Sequence, residues 1–166
     1  MKKLLILFIL FYVAGCANLP NQNQEKAKID CPRVFFSSEN NVYINNNSTE
    51  LDLDKINYKA KLNNYAFSKD CFSDLGSYNF NMELLIITEP INPNDEIISL
   101  PIFVLIYDIK NNLIEKQYFR IEDKLNYNND VSNYVVTDVI GNLNITLRQS
   151  KEVNHLVLGF VNLKKY

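Results

Sequence analysis

The stretch YNFNMELLIIT, residues 78–88, reads as a β-strand and sets the class of the fold. Phe80, Met82, Leu84 and Ile86 recur at every second position, with Asn79, Asn81 and Glu83 between them. A period of two sends alternate side chains to opposite faces of an extended chain, whereas a helical face needs spacings of three and four. From Leu85 and Ile87 the second face turns apolar as well, which predicts that the later half is covered on both sides.

Neighbouring segments follow the same rule. INYKAKLNNYAF (56–67) sets Ile56, Tyr58, Ala60 and Leu62 against Asn57, Lys59, Lys61 and Asn63. RVFF (33–36) and NVYI (41–44) are shorter strand candidates. LPIFVLIYDI (100–109) and LIEKQYFRI (113–121) flank Lys110-Asn111-Asn112, a polar break whose asparagines can enter left-handed conformations and make a hairpin turn. Pro101 stands at the start of its strand, where a missing donor does least harm. YVVTDVIGNLNITL (134–147) carries Gly141 inside, predicting a bulge or tight bend, and HLVLGFVNL (155–163) closes the domain. Loops are expected at Pro90 to Asp95 and over 126–133. The expectation is an all-β chain: a single β-sandwich of about seven strands, immunoglobulin/fibronectin III-like, with a small barrel as the alternative.

Ahead of the strands the chain is of another kind. Lys2 and Lys3 precede an unbroken apolar run from Leu4 to Val13, and Ala14-Gly15-Cys16 follows. Crossing a bilayer takes about 20 apolar residues, so this run is too short to span and fits a secretory signal, residues 1–15. Val13-Ala14-Gly15-Cys16 resembles the lipobox of bacterial lipoproteins. That resemblance implies cleavage before Cys16, thioether attachment of diacylglycerol to it, and acylation of the new amine. Two acyl signals make anchoring stable where one is marginal. Ala17 and Asn18 follow the cysteine, and no aspartate stands there to retain the protein in the inner membrane. The expected location is the periplasmic face of the outer membrane. Residues 16–30, polar and with Pro20, read as the lipidated N-terminus and a flexible tether, and 31–166 as the periplasmic domain.

The body is long enough for one domain with its own core. Without Lys2 and Lys3 it is more acidic than the whole chain's net charge of −2, and no Lys/Arg run occurs in it. Nucleic-acid binding, which needs a basic patch, is therefore not expected. Asn45-Asn46-Asn47 and Asn111-Asn112 belong to a composition rich in Asn, Lys, Ile, Tyr and Phe, and read as turns rather than ligand-binding tracts. With Cys16 assigned to lipid, Cys31 and Cys71 remain. An even pair in an oxidising compartment forms a disulfide, here a structural staple. Two distant thiols with no histidine nearby make a poor metal site, and a redox pair would sit as CxxC.

CPRVFF, INYKAKL, KDCF, LPIFVLIYD, IEKQYF and LVLGF, in that order, resemble a family of small uncharacterised alphaproteobacterial lipoproteins. The matching positions are Cys31-Pro32, Tyr58 and Ala60, Cys71, Pro101 to Val104 with Asp108, and Gly159-Phe160. The chain departs from the pattern before the Pro-x-Phe-Val strand, where TEPINPNDEI stands in place of a Gly-Pro-Ala-Ala-like segment, and in its short tail after Gly-Phe. The resemblance implies an envelope lipoprotein and supplies no activity.

Candidate sites are few. His155 is the sole histidine, and no Gly-x-Ser-x-Gly accompanies it, so it reads as a surface or packing residue rather than a catalytic base. Glu50, Asp52 and Asp54 alternate and would share a face if extended, but they lack the glycine and terminal glutamate of a calcium loop and read as a solvated acidic edge. Phe103, Leu105 and Tyr107 read as sandwich core. No catalytic residue, metal or cofactor is assigned. Two functions remain: a non-enzymatic protein-interaction or structural module in the cell envelope, or a carrier of an apolar ligand such as lipid.

Overall fold

The computed structural model describes residues 26–46, 52–148 and 152–162. Two sheets pack face to face around one apolar core, so the all-β sandwich expected from sequence is the fold. The first sheet is a meander of β3 (Val42–Asn46), β4 (Ile56–Phe67) and β6 (Ser77–Pro90), with β11 (Thr137–Arg148) paired to the other side of β6. After a detour through 68–71, β5 (Phe72–Asp74) resumes the course of β4 beside β6, and β1 (Ala27–Lys28), within the stretch read as tether, pairs with β5. The second sheet runs β2 (Arg33–Phe36), β12 (Val153–Phe160), β7 (Ile97–Asp108), β8 (Leu113–Lys124). β2 and β12 are parallel and the other pairs antiparallel. A two-stranded ribbon, β9 (Tyr127–Asn128) with β10 (Asn133–Tyr134), spans the segment read as a loop and takes in Tyr134, read as the start of the next strand.

These orders leave the immunoglobulin/fibronectin III label without support. That fold draws its four-strand sheet from hairpins A–B and D–E, whereas here three strands consecutive along the first sheet form a meander.

Turn chemistry fixes the registers. Leu75 and Gly76 have φ of 48° and 76° and join β5 to β6 as a two-residue turn closed by Asp74 opposite Ser77. Two positive φ values are what a type I′ hairpin requires, and Leu75 adopts one despite its Cβ. Between β7 and β8, Asn111 has φ of 60°. The Asp108 carboxylate accepts the Lys110 and Asn112 backbone N–H groups, each at 2.8 Å, and the Asn112 amide at 3.0 Å.

The core takes Phe80, Met82, Leu84 and Ile86 from β6, and Val139, Leu143, Ile145 and Leu147 from β11. Opposite them stand Ile98, Leu100, Ile102, Val104 and Ile106 of β7 with Leu156, Leu158 and Phe160 of β12. Burying each such large side chain stabilises by about 1.5–3 kcal/mol. Leu85 and Ile87 lie half-buried on the outer face, so the expected double cover of β6 is partial. Gly141 makes no bulge, because β11 pairs with β6 from Thr137 to Arg148 without a register shift. A Cβ there would sit 2.1 Å from Cδ1 of Ile121, so the glycine admits a side chain of β8 between the sheets.

Tyr58 joins the two sheets by its hydroxyl, which accepts the Ser99 N–H at 2.9 Å and donates to the Ser99 carbonyl at 3.1 Å. β12 ends at Phe160 opposite Ile102, and Val161 N–H still reaches the Pro101 carbonyl. At Ser99 no described residue continues that pairing, and the phenol meets both backbone groups instead. Asn45 donates to the same oxygen at 3.3 Å and accepts from the Asn57 amide at 2.7 Å. Burial raises the Tyr58 pKa, against the opposing pull of the Ser99 hydrogen bond.

Candidate interaction surfaces

Cys16 lies outside the described residues. Cys31 and Cys71 are joined, their Cα atoms 5.2 Å apart. The bond ties the chain ahead of β2 to the detour between β4 and β5, where Ile29 N–H also donates to the Cys71 carbonyl at 3.0 Å. Cys71 is wholly buried and Cys31 is exposed. Beside them opens a cleft of about 980 Å³. Its walls mix Ile29, Phe80 and Val153 with Lys28, Arg33 and Glu152, so it is neither closed nor uniformly apolar.

Phe103, Leu105 and Tyr107, read from sequence as core, stand on the outer face of the second sheet. Every second position of LPIFVLIYD is apolar in both phases, so alternation could not say which set faces inward. The aliphatic set, Ile98 to Ile106, took the interior. On the outer face Tyr107 stacks on His155 with ring centroids 4.8 Å apart, and Phe35 meets His155 edge-on at 5.6 Å. The histidine is thereby a packing residue of the sheet surface. Phe103 lies across Gly159, where a Cβ would come within 2.5 Å of its ring. Lys116 is 5.1 Å from the Phe103 ring and 5.0 Å from that of Tyr118. Phe35 and Tyr118, on opposite edge strands, are 53% and 63% exposed.

β11 offers a different surface. Among the described residues it pairs with β6 alone, and its side chains alternate strictly between core and solvent. The Thr146 carbonyl accepts from Nε2 of Gln117, on β8, so it points away from β6. Side-chain face and hydrogen-bond direction both repeat every two residues in an antiparallel pair. Asp138, Ile140, Asn142 and Asn144 therefore turn their backbone groups away from β6, to the side on which Gln117 of β8 meets Thr146.

Asp52 and Asp54 are not in an extended segment. Asp52 caps a 3₁₀ turn, Leu53–Lys55, accepting the Asp54 N–H at 3.1 Å and pairing with Lys55 at 3.3 Å. Glu50 falls outside the described residues. Among the described residues no group of three or more His, Cys, Asp or Glu is placed to hold a metal ion, and no helix is long and apolar enough to cross a membrane.

No family model, curated protein or solved structure matches the chain. The surfaces above therefore stand on their own chemistry. Sequence reasoning passed over the outer face of the second sheet, although Lys116, Tyr118 and Arg120 at alternate positions of LIEKQYFRI were a readable sign of one solvent-facing row.

Proposed function

We propose that this chain is a bacterial lipoprotein anchored through acylated Cys16 to the periplasmic face of the outer membrane, acting as a non-enzymatic interaction module of the envelope. The observation that carries the binding role is the edge of β11 from Asp138 to Asn144, which has no strand partner on its far side among the described residues. A partner strand laid along it would gain main-chain hydrogen bonds from Asp138, Ile140, Asn142 and Asn144. The partner is another envelope protein offering an extended segment. His155, held in its ring stack, supports a binding role over acid–base chemistry.

A photo-crosslinking residue at Ile140, which is 53% exposed, should capture a reproducible partner in cells, and one at Lys59, on the outer face of the same sheet, should not. Equal capture at both positions would remove the edge from consideration. Fatty-acid labelling should mark the wild type and not Cys16→Ala, and label persisting in that variant would end the anchor. The cleft beside the disulfide favours a second reading, a carrier of an apolar ligand such as lipid. Lipid retained stoichiometrically in native mass spectra, with no protein captured at Ile140, would make that reading the better one.

A further inference from the structure

The two broad faces of the sandwich carry different charge. On the outer face of the first sheet Lys59, Lys61 and Arg148 are matched by Glu83, Glu89 and Asp138, and Lys59 stands directly opposite Glu89. On the second sheet the register places Arg33 opposite His155, Lys116 opposite Leu105, and Arg120 opposite Pro101, all facing outward. Lys124 is neutralised by Glu96. Along the four strands Glu122, opposite Ser99 at one end, is the carboxylate that shares this face. A chain with a net charge of −2 thus gathers two of its three arginines and Lys116 around Phe35, Tyr107, Leu105 and Tyr118.

We infer that the outer face of the second sheet seats on an anionic lipid surface. Cations among exposed aromatic rings are the groups that favour the boundary between headgroup and hydrocarbon. Phe35 and Tyr118 stand on the two edge strands, three strand spacings or about 14 Å apart, so both rings can touch one plane. Each Lys or Arg brought to an anionic surface raises partition about fivefold, and Arg33, Lys116 and Arg120 together supply about a hundredfold. The distance to a membrane supports the same occupant. Nine residues lie between Cys16 and Lys26, a span of at most about 35 Å even at full extension, and Arg33 opens the edge strand shortly after. This setting rests on the envelope reading above. A face held that close needs only weak attraction, and the β11 edge, in the other sheet, is left free for its partner.

The test uses the chain from residue 16 onward with Cys16→Ser, which retains every described strand and the disulfide. It should sediment with vesicles of phosphatidylglycerol and phosphatidylethanolamine (3:7) and not with phosphatidylcholine vesicles. Lys116→Gln with Arg120→Gln should lower that partition about 25-fold at low salt. Lys59→Gln with Lys61→Gln, on the balanced face, should leave it unchanged, circular dichroism confirming that both variants fold. Partition no better onto anionic than onto phosphatidylcholine vesicles would overturn the inference, and it is the outcome expected if an acidic protein were the occupant. Equal losses in the two double variants would overturn it as well. Because Cys16 is substituted, the vesicle result is independent of acylation: a failed label at Cys16 ends the anchor alone, and failed sedimentation ends this inference alone.

Discussion

Replacing Tyr58 by Phe tests whether the phenol is the strand surrogate at Ser99. The ring stays, so its packing in the core is kept. What goes is one oxygen that accepts the Ser99 N–H at 2.9 Å and donates to the Ser99 carbonyl at 3.1 Å. Leaving a buried donor or acceptor unpaired costs about 1–3 kcal/mol. Ser99 is half-buried, so water can recover part of each bond, and the lower end of the range applies to both groups. The 3.3 Å bond from Asn45 adds little. The expected loss is about 2 kcal/mol, read as a lower urea midpoint at unchanged slope. Alkaline pH provides a second reading. The folded pKa of Tyr58 is raised by burial, so above the ordinary phenol range the unfolded chain ionises first. The stabilisation is complete below about pH 10 and is lost as pH rises through the folded value, so the gap between wild type and Tyr58→Phe should narrow there. A variant within about 0.5 kcal/mol of wild type at neutral pH would refute the reasoning.

Two further outcomes follow from the same core. Cys31→Ser with Cys71→Ser opens a loop spanning a sequence separation of 40. It should lower stability by about 4 kcal/mol in the chain-entropy account, and urea unfolding of wild type with and without reductant should show a loss of the same size. The Thr88 hydroxyl, fully buried, has no hydrogen-bond partner among the described residues. Thr88→Val keeps its shape, so the thermal midpoint should rise or hold, and a fall of several degrees would show that the hydroxyl is satisfied after all.

Much of this architecture was legible wherever one face of a strand is polar. β11 alternates from end to end because one side is in the core and one in water. β4 matches its expected span, Ile56–Phe67, and alternates from Tyr58 to Leu62 before a register shift carries Tyr65 and Phe67 toward the core. Reading failed where that contrast disappears. β7 is apolar in both phases, and only the partner sheet decided that Ile102 and Val104 turn inward and Phe103 and Leu105 outward. The turn at Leu75-Gly76 was missed because leucine is a poor signal for positive φ. Gly141 was taken for a local bend when its cause is Ile121, a residue brought near only by the packing of the sheets. The cationic face failed for the same reason. It draws on four strands scattered from Arg33 to Val157, and no window of sequence contains them together.

The parallel pairing of β2 with β12 bears on the order in which the sandwich can assemble. Arg33 meets His155, and Phe36 meets Leu158, so the opening strand of the second sheet waits for the last. A chain made from its N-terminus presents β2 early, with its ladder groups unmet, while the β4–β6 pair can zip through the turn at Leu75-Gly76 at once. Both Cys31 and Cys71 are present in that interval, so the staple can close then and hold the start of β2 beside the young hairpin. It shortens the search the final strand must make, because loop-closure entropy has already been spent at the other end. The sandwich shuts like a clasp, its catch set long before the closing half arrives.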